Sequence, residues 1–217
     1  MIETKPEYYF KKIKDFAFPE LFNVKNVWEI LKKKDELLSK FKKSEINGTI
    51  GKNVHIDGIL LLEKGSKILE NSIIEGPMYI GKNCVIGPNA HIRRYTIIGD
   101  NSKIGKTEVK GSVIMNNVRA DHLGYIGESI LGDSVHIGAG VVTANLRFDN
   151  KNVNETGLKK LGIIAGDNVQ IGINVSTLPG TFIGPNTWIY PGSIVKGFLP
   201  ANKLLKSKIE YEISDKT

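Results

Sequence analysis

The chain has 217 residues, 41% of them hydrophobic, and its 30 Lys and Arg against 23 Asp and Glu give a net charge of +7. No apolar run approaches the roughly 18 residues of a membrane-spanning helix, and the start MIETKPEYYFKK lacks the apolar stretch of a signal peptide. The basic residues are mostly Lys, spread without a recognition motif or aromatic–basic platform, so neither nucleic acid nor membrane is an expected partner, whereas an anionic small molecule is.

Residues 1–46 read as a helical segment. Thr4 and Glu7 have capping-box spacing with Pro6 in the first turn, which predicts a short helix through Phe10, Ile13 and Phe16 that Pro19 ends. Asn26 then offers an N-cap with Glu29 three residues on, and Val27, Ile30, Leu31, Leu37, Leu38 and Phe41 form a helical stripe. That stripe must rest on something, either the open first coil near Ile50 or a neighbouring subunit.

From Ile50 to Ile104 an aliphatic residue recurs every six positions, ten times without a slip: Ile50, Ile56, Leu62, Ile68, Ile74, Ile80, Ile86, Ile92, Ile98 and Ile104. Helices repeat near 3.6 and half-buried strands at 2, so a strict six means short strands bent at regular corners, an all-β hexapeptide parallel β-helix. Three hexapeptides make one triangular coil, so residues 18 apart should stack, with Ile50, Ile68, Ile86 and Ile104 forming one interior ladder. Cys84, the lone cysteine, falls in an inward small-residue slot and reads as packing; a single thiol fits a reducing, cytoplasmic compartment.

The phase holds to Val109, breaks, returns at Leu131 and Ile137, and breaks again over 143–164. It resumes through 165–194, so the β-helix is expected over 47–198 with a closing tail over 199–217. Excursions from a regular scaffold commonly carry function. The two breaks hold Lys110, Arg119, Asp121, His122 and Tyr125, then Asn145, Arg147, Asp149 and Lys151.

His122 suits general-base chemistry by its ordinary pKa near 6.5. Glu108 falls by phase in the inward slot of Ala90, Ser72 and Val54, where a carboxylate needs a partner, His122 or Lys110, unless the strand has already turned outward. Arg93 and Arg94 at a corner are either solvated or a phosphate clamp. His55, His91 and His136 share one outward phase and read as surface. No metal is expected: hexapeptide carbonic anhydrases hold zinc with three His, two of them five residues apart, and His91, His122 and His136 are 31 and 14 apart.

The stretch EVKGSVIMNNVRADHLGYIGESILGDSVHIGAGVVTANLRFDNK with the closing hexapeptides resembles the C-terminal domain of two related enzyme families. One is the bacterial N-acetylglucosamine-1-phosphate uridyltransferase/glucosamine-1-phosphate acetyltransferase. The other, and the closer, is the archaeal-type sugar-1-phosphate nucleotidylyltransferase with amino-sugar-1-phosphate acetyltransferase activity. The resemblance implies a left-handed β-helix, a homotrimer, acetyl-CoA along the groove between helices, and N-acetylation of a hexosamine 1-phosphate.

Residue by residue, the resemblance makes His122 the catalytic base and Glu108 a nearby carboxylate. It puts Arg93, Lys110 and Lys151 on the sugar phosphate and Tyr125 and Asn145 on the sugar, with the Ala139 amide on acetyl-CoA. His136 stands where the bacterial enzyme has a sugar-contacting Asn; Ile173, in place of a Ser, and Tyr190 fall on the cofactor side. The nucleotidyltransferase half has no counterpart: residues 1–46 contain no Gly for its nucleotide loop, so nucleotidyl transfer is not expected. Acylation of a nucleotide-linked or other amino sugar, or a non-catalytic role in assembly with a separate nucleotidyltransferase, are the alternative readings.

Overall fold

The six-residue period becomes short parallel strands separated by corners, in a computed structural model that describes residues 2–208, 210 and 212–214. The strands stack into three parallel sheets of nine, nine and eight strands, here called A, B and C in the order in which each coil visits them. About nine turns form a β-solenoid of the left-handed acyltransferase type.

The expected interior ladder is present on sheet B: Ile50 pairs with Ile68, Ile68 with Ile86, and Ile86 with Ile104. Ile68, Ile86 and Ile104 are fully buried, each contributing about 1.5–3 kcal/mol by leaving water. Cys84 is buried among them, and that burial raises its thiol to about 11. The corners need left-handed backbone, which Asn tolerates better than most residues. Asn53, Asn71, Asn168, Asn186 and Asn202 all adopt positive φ there. They also form side-chain ladders, such as Asn168 Nδ2 to Asn186 Oδ1 at 3.0 Å.

The stretch after Val109 is not an excursion. Its strands at 107–110, 113–114, 119–120 and 124–127 all pair in the sheets. The coils there are shorter: Ile92 pairs with Val109, 17 residues on, and Ile98 with Ile114, 16 on. The missing residues come out of corners, so the apparent break is a change of phase. Only the second break is an insertion. Leu131 pairs with Ala165 and Val142 with Ser176, each 34 residues apart, so the extra length projects from the corner between sheets C and A.

The solenoid also runs further than the sequence predicts. Glu45–Ile46 joins sheet A at one end, and Phe198–Leu199 and Leu204–Leu205 join sheets A and B at the other. No helix follows among the described residues of the tail, and residues 209, 211 and 215–217 lie outside them.

The N-terminal segment neither caps the first coil nor waits for a neighbour; it lies across the outer face of sheet A. Tyr9, Phe10, Phe22, Val27, Ile30 and Leu38 pack on the outward row Tyr79, Ile97, Val113, Ile130, Ile164 and Phe182, all buried. Its first helix, α1, spans only Pro6–Tyr9, with Lys5 rather than Thr4 at the N-cap. The second, α2, is Ile30–Leu38. Asn26 bonds Glu29 side chain to side chain at 2.8 Å instead of capping the backbone. Polar clasps fix the segment: Lys12 Nζ meets Asp133 Oδ1 at 2.7 Å, and the Lys11 N–H donates to Asp167 Oδ2 at 2.7 Å.

Candidate active site

Because sheet A is covered, the polar chemistry gathers on sheet C and its two edges. Glu108 pairs in register with His91 on one side and Tyr125 on the other. It therefore points outward, while Thr107 and Val109 fill the interior. The inward slot expected for Glu108 belongs to Thr107, because the corner before it is one residue short.

The partner of Glu108 is neither His122 nor Lys110 but Arg93, whose Nη1 donates to Glu108 Oε1 at 2.8 Å. Glu75 completes this group: its Oε1 is 3.0 Å from His91 Nε2, and its Oε2 is 3.8 Å from Arg93 Nε. The bond to His91 lowers the Glu75 pKa, and Glu108 raises that of Arg93. Arg93 Nε is buried without a hydrogen-bond partner among the described residues, with only the more distant Glu75 Oε2 to answer its charge.

A second group meets at the corner between sheets C and A. Lys110 Nζ lies 3.2 Å from Glu128 Oε1. Asn145 Nδ2 donates to the other Glu128 oxygen and stands 3.0 Å from Tyr125 Oη. Gly127 makes room for this meeting, since a Cβ there would stand 2.5 Å from Tyr125 Oη. Burial alone would lower the Lys110 pKa, but the Glu128 carboxylate more than offsets it; burial and Glu128 together raise Tyr125. Arg93, Lys110, Glu75 and Glu128 line one pocket of about 450 Å³ with Lys34 of α2 and Lys160 of the insertion.

The opposite edge, between sheets B and C, carries the remaining candidates. His122 is exposed and its side chain makes no hydrogen bond among the described residues, but its carbonyl accepts from Thr107 Oγ1 at 2.5 Å. That bond fixes the His122 backbone one residue from Glu108. Ala139 lies on the same edge one coil later, between Gly138 and Gly140, and its N–H donates no hydrogen bond among the described residues. His136, Gly138, Ile173, Trp188 and Tyr190 line an open groove beside it. Trp188 is 59% and Tyr190 46% exposed, so the groove offers aromatic surface and a free amide.

Thus Arg93, Lys110, Tyr125, Asn145 and Glu108 converge on sheet C and its corner with sheet A, while His122, Ala139, His136, Ile173 and Tyr190 follow the B/C edge. Lys151 stands apart on the exposed insertion, where its N–H donates to Asp149 Oδ1 at 3.1 Å. Glu75, His91 and Glu128 escape sequence reasoning. Glu75 and His91 are 18 residues from Asp57 and Ile73 in the regular repeat, whereas Glu128 can be placed only once the short coils are in register.

The family model described as the GMPPB C-terminal domain matches residues 74–189, more than half of the chain. The protein named bifunctional protein GlmU of Methanococcus aeolicus is 41% identical over 197 residues, 87% of this chain and 48% of that protein. The bifunctional sugar-1-phosphate nucleotidylyltransferase/acetyltransferase of Sulfurisphaera tokodaii is 42% identical over 177 residues, 77% of this chain and 44% of its own. Among solved structures, the polySia-specific acetyltransferase NeuO aligns over 81% of this chain and 89% of its own at 20% identity, with a TM-score of 0.39, too loose a likeness to bear on the site. The chain spans about half the length of the curated relatives it matches. On the family model and these two relatives together, the chain belongs to the family of the GMPPB C-terminal domain, shared with bifunctional sugar-1-phosphate nucleotidylyltransferase/acetyltransferases.

Proposed function

We propose that the protein is an acyltransferase that N-acetylates a hexosamine 1-phosphate, glucosamine or galactosamine 1-phosphate, from acetyl-CoA, at the groove between copies of a homotrimer. The observation that carries this reading is the placement on neighbouring strands of sheet C of two polar groups, Arg93 with Glu108 and Lys110 with Tyr125 and Asn145 around Glu128, with Glu108 next to the Thr107 hydroxyl that holds the His122 carbonyl.

Acetyl-CoA supplies the acetyl group. His122 accepts the proton as the sugar amine attacks, a role worth about 10²–10⁴-fold in rate. The Ala139 amide stabilises the developing oxyanion, where a lost donor costs about 10²–10³-fold. Arg93 and Lys110 hold the phosphate and so place the amine; Tyr125, Asn145 and His136 orient the sugar. Glu108 keeps Arg93 in place and adds negative charge that favours the protonated imidazole. Ile173 and Tyr190 flank the CoA chain. Lys151 reaches the phosphate of a neighbouring copy, since on its own protomer it stands outside the pocket. A polar site built from adjacent copies in this way leaves sheets B and C free for assembly and sheet A closed.

The test is a free-thiol assay with acetyl-CoA and each hexosamine 1-phosphate. Wild type is expected to turn over one of them, and His122→Ala to lose about 10²–10⁴-fold in kcat while keeping its trimer and melting temperature. Near-normal activity in that variant removes His122 from the mechanism, and no transfer to either sugar removes the substrate assignment.

A further inference from the structure

Glu128 fills the spot where the candidate anion-binding residues converge. It turns the corner between the strands Gly124–Gly127 and Ile130–Leu131 with φ +39°. Most other non-glycine residues with positive φ here are Asn, which bonds locally and tolerates that backbone; Glu does not. The main chain is nevertheless held on both sides. The Glu128 N–H donates to the Lys110 carbonyl at 2.8 Å, and the Glu128 carbonyl accepts from the Gly162 N–H at 2.9 Å.

From this backbone the side chain crosses Gly111, where a Cβ would come 3.4 Å from Glu128 Cγ. Its carboxylate then engages Lys110 through one oxygen and Asn145 through the other, with Tyr125 Oη beside it. Three residues assigned to the acceptor therefore close on a side chain of the same protein. The pocket wall carries Lys32, Lys34, Arg93, Arg94, Lys110 and Lys160 against Asp35, Glu75 and Glu128. Lys34 is 2% exposed, held by Asp35 Oδ1 at 2.5 Å and the Tyr95 carbonyl at 2.6 Å, so it cannot swing to supply more charge. Lys32 and Arg94 pair with Glu36 and Asp57, and Arg93 with Glu108, which leaves Glu128 as the acid on Lys110, so a phosphate dianion competes with Glu128 for that cation.

We propose that Glu128 is a resident anion: its carboxylate fills the acceptor's phosphate subsite in the free chain and is displaced by a dianionic group. This rests on the reading of Lys110, Tyr125 and Asn145 as acceptor-binding residues. Glu128 thereby sets the affinity for the acceptor and selects phosphorylated sugars over neutral ones, because only an incoming dianion replaces the lost charge with a larger one.

The experiment is calorimetric titration of the full chain with inorganic phosphate, glucosamine 1-phosphate and glucosamine, in wild type, Glu128→Gln and Glu128→Asn. Asn suits the positive φ, so the second variant keeps the corner folded if the first does not. If Glu128 occupies the subsite about nine-tenths of the time, its removal tightens both phosphate ligands roughly tenfold and leaves glucosamine unchanged. Unchanged or weaker phosphate binding in the variants, with melting unaltered, overturns the proposal and makes Glu128 a positioning residue for Lys110 and Asn145. Absence of phosphate binding in every form overturns it too. Tighter phosphate binding without acetyl transfer in any form keeps this proposal and sinks the acetyltransferase reading; transfer without tightening does the reverse.

Discussion

Arg93 and Glu108 sit on successive coils of sheet C, joined by a 2.8 Å bond between Nη1 and Oε1, while Arg93 Nε sits buried 3.8 Å from Glu75 Oε2. The guanidinium is thus held between two carboxylates and borders the pocket. Arg93→Ala is expected to raise KM for the hexosamine 1-phosphate about 10–100-fold, the worth of one charged hydrogen bond, with kcat changed only a few-fold. Arg93→Lys should recover part of this, since Lys lacks the planar fork. Steady-state kinetics decide; a fall in kcat at constant KM assigns Arg93 to the chemical step instead.

The groove beside Ala139 makes a prediction independent of the acceptor. Millimolar acetyl-CoA should raise the melting temperature of the wild type, since a ligand that binds only the folded state stabilises it. Trp188→Ala and Tyr190→Ala should each reduce that shift while leaving the phosphate response intact. A shift unchanged in both variants moves the donor elsewhere.

The covering of sheet A predicts where stability resides. Ile30 and Leu38 are both fully buried against it, so Ile30→Ala or Leu38→Ala should cost about 2–5 kcal/mol in chemical denaturation. Removing residues 1–43 should expose Tyr79, Ile97, Val113, Ile130 and Phe182 together and drive association, read by light scattering. A truncated chain that stays dispersed and melts as before contradicts this account of the segment.

Tyr9 and Tyr79 give the pH dependence. Burial raises both phenols above their ordinary value near 10. Above that value the unfolded chain loses these protons first and the folded chain keeps them, so stability falls as pH rises, by at most about 1.4 kcal/mol per pH unit for each phenol. Tyr9→Phe should make the decline between pH 9 and 11 shallower, although it also removes the 2.8 Å bond from Tyr9 Oη to the Glu3 carbonyl. An equal slope in both proteins rules out the Tyr9 phenol as its source.

The solenoid is legible in the sequence because Ile at every sixth position has no other regular use. The same rule misplaces Glu108: extrapolating the period past Ile104 assumes six residues per side, whereas the next interior residue on sheet C is Val109, five on. The shortened corner keeps its bond to the next coil, from the Gly105 N–H to the Ala120 carbonyl at 2.8 Å, so nothing in the composition announces the slip. His91 illustrates a second limit. Its phase identifies it correctly as outward, but outward on sheet C means beside Glu75 rather than in bulk water. The stripe on α2 is equally visible, yet its resting place depends on Tyr79, Ile97 and Phe182, outward residues of sheet A that six-residue periodicity treats as solvent-facing. Resemblance to a family supplies most of the site residues, and Glu128 lies beyond its reach because its importance comes from what its carboxylate blocks.

The insertion between Thr143 and Ile163 leaves the pairing above and below it intact, with Leu131 on Ala165 and Ile137 on Ile171 as if nothing intervened. A prism that stores surplus chain at one vertex has decoupled recognition from architecture. Lys160 and Asn145 can be exchanged, or the loop lengthened, and the groove along the other vertex keeps its dimensions, so under the proposed function acceptor preference would be free to drift while the donor stayed the same.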